Sequence, residues 1–512
     1  MVHTFAAIDV GSFELTMKIF EYGGKKPMKE IDCIATGLSL GADTYATGKI
    51  SNEKVDELCK VLNHFSQIMK SYKVEEYRAY GTSAIRETEN SDILLDLIET
   101  RTGIHIETLS NSEQRFLDYK SIAGAGDVFY NAIAGSAAIL DIGGGSIQIS
   151  LFDEDSLVST QNLKLGVLRI RERVESLGAD PYRMRLLEEE LIDAQLLTYK
   201  KLFITGSVKN LIVMDDYISS CIVMKSTGGK GCLSRAEFEK LLESVSTRGT
   251  FETAKAFGVP EEKVPLLRIS GLLVKSLAKI LKSEMIYAPG VTLSDGIAYE
   301  FAEEKKIIKR EHDFEKDIIA CALNISRRYN GSRSRAETLR QICSTIFDSV
   351  KKAGGLTKRD KLYLDIATIL HDCGKYIAMT EIGERSYDII MATEIIGLNH
   401  REREIVANIV RFNHSDFVYP GTYGATAGLL DKNSYITIAK LTAILRVANS
   451  LDRSHKQKMK EIKATVDGRE LLLKVDTPQT FLLEEAFFPE AADFFEEIYS
   501  IKPVIVRSRD NV

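Results

Sequence analysis

An acidic residue set against a run of glycines can hold a cation and a phosphate at one place. The chain has such a stretch at 137–153, AAILDIGGGSIQISLFD. Asp141 stands at the lip of the turn, where a carboxylate can ligate a metal ion or orient a water. Gly143, Gly144 and Gly145 leave the turn without Cβ atoms, so its backbone N–H groups can close on a phosphate. Ile147, Ile149 and Leu151 then alternate with period two, which predicts a hairpin whose two strands meet at the turn.

The arrangement occurs again at 7–21, AIDVGSFELTMKIFE. Aligned without gaps, Asp9 falls on Asp141, Val10 on Ile142, Gly11 on Gly143, Ile19 on Leu151 and Phe20 on Phe152. Two acid–glycine hairpins opening two successive lobes imply a duplicated α/β domain with a cleft between its halves. A phosphate-bearing ligand would be gripped by both hairpins.

Other elements must position these turns. Ser51 opens a helix whose Val55, Leu58, Leu62, Phe65 and Met69 make one apolar stripe. The stretch 77–83 (YRAYGTS) reads as a strand ending in a small-residue turn, with Arg86 just past it. That arginine either forks onto a phosphate or sits in a surface ion pair. Residues 104–109 alternate as a strand, 181–203 form an amphipathic helix, and 202–207 (LFITGS) read as a strand into a second Gly-Ser turn. Ser234 and Glu237 make a capping box, and 291–299 (VTLSDGIAY) look like a strand stopping at Asp295-Gly296. Composition changes at 305–313; helical periodicity then dominates to about 456, before strands at 470–475 and 502–506 flank a helix at 491–499.

Bulk properties narrow the classes. The 512 residues are 27% charged and 44% hydrophobic, the balance of a folded soluble chain of several domains. A formal net charge of −6 supplies no global field for a polyanion, so nucleic acid is not an expected partner and any phosphate site must be locally built. The 7 cysteines include no C-x-x-C pair, which argues against zinc ribbons and a disulfide framework and for reducing cytosol. MVHTFAAIDV enters the first strand directly and no apolar run suits a bilayer, so no membrane association and a cytoplasmic location are expected.

Taken together, the chain resembles the exopolyphosphatase and guanosine-pentaphosphate phosphatase family. The resemblance rests on Asp9-Val10-Gly11-Ser12, Gly81-Thr82-Ser83-Ala84-Ile85-Arg86-Glu87, Asp141 through Ser146, Leu293-Ser294-Asp295-Gly296, and in the helical part Leu370-His371-Asp372-Gly374 and 445–455 (LRVANSLDRSH). It implies a duplicated actin-like (ribonuclease-H-like) α/β domain with an interlobe cleft, then an all-α HD-like domain and a small α/β cap. The corresponding boundaries are 1–125, 126–305, 313–460 and 461–512. It further implies hydrolysis of a terminal phosphoanhydride of inorganic polyphosphate or guanosine pentaphosphate, with Mg2+ or another divalent cation near Asp9 and Asp141. By the same resemblance Gly11, Ser12, Gly143, Gly144, Gly145 and Ser146 cradle phosphate, Arg86 clamps it, and Gly206 and Ser207 line the nucleotide side. A homodimer is left open.

The chain departs from the family's pattern at three places. Its first motif continues Phe13-Glu14, its second ends Ile147-Gln148 where a glutamate is usual, and Ser112-Glu113-Gln114-Arg115 stands where the general-base glutamate belongs. Gapless alignment puts Gln114 at the base, with Glu113 and Glu14 as neighbouring substitutes. Glutamine can orient a water but cannot take its proton, so the alternative is a weakened enzyme that senses polyphosphate or an alarmone. In the helical part His371, Asp372 and Asp452 are present but Arg335 replaces an upstream histidine. Arginine cannot ligate a cation, so a scaffold is expected there, with Arg327, Arg328, Arg333, Arg335, Arg340, Lys456, Lys458 and Lys460 either tracking polyphosphate or forming solvated faces.

Overall fold

A computed structural model describes residues 2–507 except 24–25, 127–134, 154–155, 179, 205, 309–311, 420–430 and 460. The chain forms two compact units, Met1–Asp313 and Phe314–Val512.

The first unit is built on two sheets. One has the order β3-β2-β1-β4-β5, from β1 (His3–Val10), β2 (Glu14–Gly23), β3 (Lys26–Gly37), β4 (Glu76–Gly81) and β5 (Glu107–Thr108). The other runs β10-β11-β9-β6-β7-β8, from β6 (Ser136–Ile142), β7 (Ile147–Asp153), β8 (Ser156–Leu163), β9 (Asn210–Asp215), β10 (Cys232–Ser234) and β11 (Met285–Tyr287). In each, the first strand pairs antiparallel with the second and parallel with the fourth. The register repeats as well: Asp9 faces Thr16 as Asp141 faces Gln148. The Gly11 N–H donates to the Glu14 carbonyl at 3.1 Å, as the Gly143 N–H does to that of Ser146 at 2.9 Å. This is the duplicated α/β fold implied by the motif repeat. The first strands are apolar on both faces because both are covered: Phe5, Ala6, Ala7 and Ile8 are fully buried, as are Ala137, Ala138 and Leu140.

Two helices, Asn111–Gly124 and Leu293–Glu304, cross where the lobes join. Leu117, Leu293, Ile297 and Phe301 pack with Phe5 and Phe20 into one cluster, and the Phe5 and Phe301 rings stack at 3.9 Å. The crossing is close enough to need a glycine. A Cβ on Gly296 would lie 2.1 Å from the Leu117 carbonyl oxygen. Gly296→Ala should therefore lose about 1–3 kcal/mol to overpacking, read as a lower denaturant midpoint; an unchanged midpoint would show that the helices can part freely.

Three expected strands are corrected. VTLSDGIAY starts the helix Leu293–Glu304, because the Asp295 carboxylate accepts the Thr292 N–H at 2.7 Å and closes a capping box. LFITGS is the end of the helix Pro181–Phe203 and the connection after it; the strand begins at Asn210. Of 104–109 only Glu107 and Thr108 pair with β4.

The second unit carries the helices Phe314–Arg328, Arg333–Gly354, Lys358–Leu370, Ile382–Ala392, His400–His414 and Lys432–Leu451. A sheet β12-β13-β14 follows, from β12 (Glu461–Asp467), β13 (Glu470–Asp476) and β14 (Lys502–Arg507), with the helix Leu482–Tyr499 crossing between the last two. The Ser349 hydroxyl donates to the Ala464 carbonyl at 2.9 Å, tying this sheet to the helices. Among the described residues no helix is long and apolar enough to cross a membrane.

Candidate active site

The two hairpin turns face one cleft. It is lined by Gly11, Ser12, Gly143, Gly144 and Ser146, by Thr82 and Ser83 after β4, by Gln114 and Asp118 from one helix face, and by Asp9, Glu14, Asp141, Asp215 and Asp216. Topology produces this convergence: parallel strands β1 and β4, and β6 and β9, all end at the same side of their sheets.

The turns are held with their carbonyls turned away. The Val167 N–H donates to the Gly143 carbonyl at 3.1 Å, and the Leu168 and Arg169 N–H groups donate to that of Gly144 at 3.0 and 3.1 Å. The Gly41 N–H holds the Ser12 carbonyl at 2.8 Å. No acceptor among the described residues takes the backbone N–H of Ser12, Gly144, Gly145 or Ser146. A row of unsatisfied donors flanking a cleft can cradle an anion. The glycines serve a second purpose that the sequence did not suggest. A Cβ on Gly145 would stand 2.2 Å from the Tyr45 hydroxyl, and one on Gly144 would stand 2.7 Å from the Ser12 Cβ. They let one lobe's turn pack directly on the other lobe. There Ser12, Tyr45 and Ser83 hydroxyls form a triangle with sides of 2.8, 2.8 and 2.9 Å. Arg169 stacks on Tyr45 and pairs with Glu87, and Lys263 pairs with Glu14 at 2.9 Å, so ion pairs tie the lobes on both sides of the turns.

The acids fall into two kinds. Asp215 is satisfied: it accepts from the Tyr217 and Ser219 N–H groups at 2.9 and 2.8 Å and from the Ser219 and Ser270 hydroxyls at 2.6 and 2.5 Å. Asp9 Oδ1, Asp141 Oδ2 and both oxygens of Asp118 are buried with no donor in reach. Burial raises the Asp9 carboxyl well above its usual range, helped by Asp216, Glu14 and Asp141. Burial also raises Asp118 well above its range, with Asp141 in contact adding to it. Asp141 is pushed up to about 7 by burial and Asp216, although its contact with Asp118 works the other way. Asp216 is pushed up to about 7 by burial and Glu14 against the opposing Lys263. The cleft is therefore short of positive charge. Unpartnered buried carboxylate oxygens are the donor set a hard divalent cation takes, so Asp9 and Asp141 fit Mg2+. Among the described residues no group of three His, Cys, Asp or Glu side chains has metal-holding geometry; an Mg2+ ion that keeps its waters and phosphate ligands needs only one or two carboxylates.

Several expected site residues lie elsewhere. Gly206 and Ser207 precede β9, and the Ser207 carbonyl accepts from Ser136 at the start of β6. That is the opposite end of the sheet from the turn 143–146, so they cannot share its phosphate; Asp215 and Asp216 hold the cleft end of β9. Glu113 closes the capping box of its helix, with Oε2 3.0 Å from the Ser110 N–H, while Gln114 reaches the cleft wall. Arg86 donates to the Leu109 carbonyl at 2.6 Å and to Gln114 Oε1 at 3.5 Å, and holds that amide without lining the cleft itself. Gln148 is 2% exposed and accepts from Arg115 at 2.8 Å, so it braces the helix and does not reach a cleft water. Asp118 and Asp216 were missed. The only signal was spacing: Asp118 follows Gln114 by four residues on one helix face.

In the second unit the guanidinium of Arg335 occupies the centre of the His-Asp cluster. It donates to His371 Nε2 at 2.6 Å, Asn449 Oδ1 at 2.6 Å, Asp452 Oδ2 at 3.2 Å and Asp372 Oδ2 at 3.3 Å. His371 donates from Nδ1 to the Thr368 carbonyl at 2.8 Å, and burial, with Arg335 and His414, depresses it to about 3, so it stays neutral. Of the basic residues that either track polyphosphate or form solvated faces, four are engaged in the protein's own contacts. Arg335 is 3% exposed, Arg333 pairs with Glu337, Arg340 with Asp365 and Lys458 with Glu484, and Lys460 lies outside the described residues.

Known proteins match both units. Residues 19–305 match the Ppx/GppA phosphatase family and residues 319–490 match Ppx/GppA phosphatase, domain III. Exopolyphosphatase 1 of Mycobacterium tuberculosis is 25% identical over 303 residues, covering 57% of this chain and 86% of its own. A guanosine-5'-triphosphate,3'-diphosphate pyrophosphatase of Vibrio atlanticus is 21% identical over 491 residues, covering 92% and 91%. The crystal structure of an exopolyphosphatase from Cytophaga hutchinsonii agrees in fold with a TM-score of 0.52 at 20% identity, over 60% of this chain and all of that one. Paired acid–glycine turns around one cleft, and a following unit that matches the same family's third domain, have one common account: the chain belongs to the Ppx/GppA phosphatase family.

Proposed function

We propose that the cleft hydrolyses a terminal phosphoanhydride bond of inorganic polyphosphate, with guanosine pentaphosphate as the competing substrate. The observation that carries this reading is the row of unsatisfied N–H groups from two turns beside buried carboxylate oxygens without donors. The relatives' names, an exopolyphosphatase and a guanosine-5'-triphosphate,3'-diphosphate pyrophosphatase, support the substrate class.

In this mechanism the N–H groups of Ser12, Gly144, Gly145 and Ser146 bind the oxygens of the terminal phosphoryl group and fix its orientation. Asp141, with Asp9 beside it, would hold a divalent cation, which when bound would supply neutralisation of charge on the transferring group. Gln114, steadied by Arg86, accepts a hydrogen bond from a water in line with the scissile bond. That water's oxygen bonds to phosphorus as the bridging P–O bond breaks, the electron pair leaves with the shortened chain, and the water's proton passes to a phosphate oxygen of the substrate. The transition state is loose, so positioning carries most of the catalysis. Gln114 cannot take the water's proton, and hydrolysis is expected to be slow beside tight binding. The second reading, a sensor that binds without useful turnover, rests on the same residue.

Phosphate release from long-chain polyphosphate and from guanosine pentaphosphate with Mg2+, run beside a binding titration, tests both. Binding with no release by either substrate would leave only the sensor. Gln114→Glu supplies the missing carboxylate, and kcat should rise by about 10²-fold or more, with KM changing little because the group acts on water and not on the polyanion. A flat kcat with binding retained would remove Gln114 from the base position. A collapse of wild-type turnover in Glu113→Gln would show that Glu113 leaves its capping bond to do the work.

A further inference from the structure

The cleft holds more unsatisfied acid than its two motif aspartates account for. Asp118 lies one helical turn beyond Gln114, is 2% exposed and lines the cleft. Neither of its oxygens meets an N–H or O–H donor among the described residues, and its contact is the Asp141 carboxyl, whose Oδ2 is also without a donor.

Buried carboxylates normally collect donors, and Asp215 in the same cleft collects four. The contrast separates an acid that holds the fold from one that does not. Desolvating Asp118 against a second carboxyl costs free energy in the protein alone, and an apolar residue there would remove that cost. Nothing the helix Asn111–Gly124 needs for packing explains the carboxyl, since Leu117, Tyr119 and Ile122 already bury its apolar side. Gln148, the cross-strand neighbour of Asp141, offers no charge and is turned to Arg115. The helix side is thus where a second carboxylate reaches Asp141.

We propose that Asp118 is a cation ligand that completes, with Asp141, a two-carboxylate seat for a divalent metal ion of the Mg2+ class. Water and phosphate oxygens fill the other positions, the usual arrangement for a hard cation of that size. The assignment rests on the reading of the cleft as a phosphate site. It gives the helix Asn111–Gly124 two functions on one face, an amide for the attacking water and a carboxylate for the cation.

Mn2+ titration of the full chain, followed by electron paramagnetic resonance with and without orthophosphate, tests it together with Asp118→Asn. The wild type should bind Mn2+ and gain melting temperature from it. The variant should bind at least about 10-fold more weakly and gain little. In metal-free buffer Asp118→Asn should melt at or above the wild type, because a buried contact between like groups is gone. Equal Mn2+ affinity in the two proteins would overturn the proposal, as would a wild type that takes up no Mn2+. Failure of Asp118→Asn to fold without metal would also overturn it, by making Asp118 a structural residue. Asp118-dependent Mn2+ binding without any phosphate release would sink the hydrolase and keep the ligand; turnover with Asp118-independent binding would do the reverse.

Discussion

Arg335→Ala is expected to destabilise the unit Phe314–Val512 by about 3–5 kcal/mol, the usual cost of removing one partner from a buried charge cluster. The guanidinium is 3% exposed and joins residues from two distant stretches: His371 and Asp372, and Asn449 and Asp452. Without it two aspartates share a dry site with a neutral histidine, and Lys375 at 3.3 Å from Asp372 is left to balance them. Arg335→Lys should recover only part of the loss, since an ammonium lacks the planar fork that reaches four acceptors. Denaturant unfolding of the full chain reads this as an earlier transition. A shift below about 1 kcal/mol would mean that water reaches the cluster and screens it. Because the guanidinium sits among His371, Asp372 and Asp452, chelators should leave the melting temperature of this unit unchanged. A stoichiometric transition metal bound by His371 and Asp372 would contradict that.

Asp141→Asn should abolish hydrolysis, with a fall in kcat of at least about 10²–10³, the range for loss of one preorganised electrostatic contact at a reacting centre. The fold should survive. Asp141 is the penultimate residue of a strand whose ladder is backbone, and its Oδ2 holds no structural partner. An amide of the same shape also removes repulsion with Asp216, so the variant's melting temperature in metal-free buffer should equal or exceed that of the wild type. Initial rates at saturating Mg2+ and polyphosphate, with a melt of the same preparation, check both parts. Unchanged turnover would take Asp141 out of the mechanism. A collapsed melt would make it a structural acid like Asp215.

The amino-acid sequence by itself determined the parts of this protein that depend on neighbours along the chain. Asp9 and Asp141 stand at equal distances from their glycines and their return strands, so one hairpin geometry serves both, and the duplicated fold follows from reading it twice. The caps at Ser51 and Ser234 were legible for the same reason, since each side chain reaches a backbone N–H three residues on. Local pattern failed where two local signals competed. Asp295 and Thr292 make a helix cap inside a run that alternates like a strand, and Gly206-Ser207 imitates a phosphate turn at the wrong end of β9. Only tertiary structure decided which acids meet. Asp9, Asp118, Asp141 and Asp216 come from two sheets and a crossing helix, and nothing in their spacing states that parallel strands will bring them to one edge. It also decided that Glu113 caps its helix while Gln114 faces the cleft, because the capping bond fixes the helix phase and neighbouring residues on a helix point about 100° apart. Arg335 is the same case: its type excluded a metal ligand, but the convergence of two distant stretches of chain on one guanidinium is a property of packing, and a sequence records only the residues that packing will bring together.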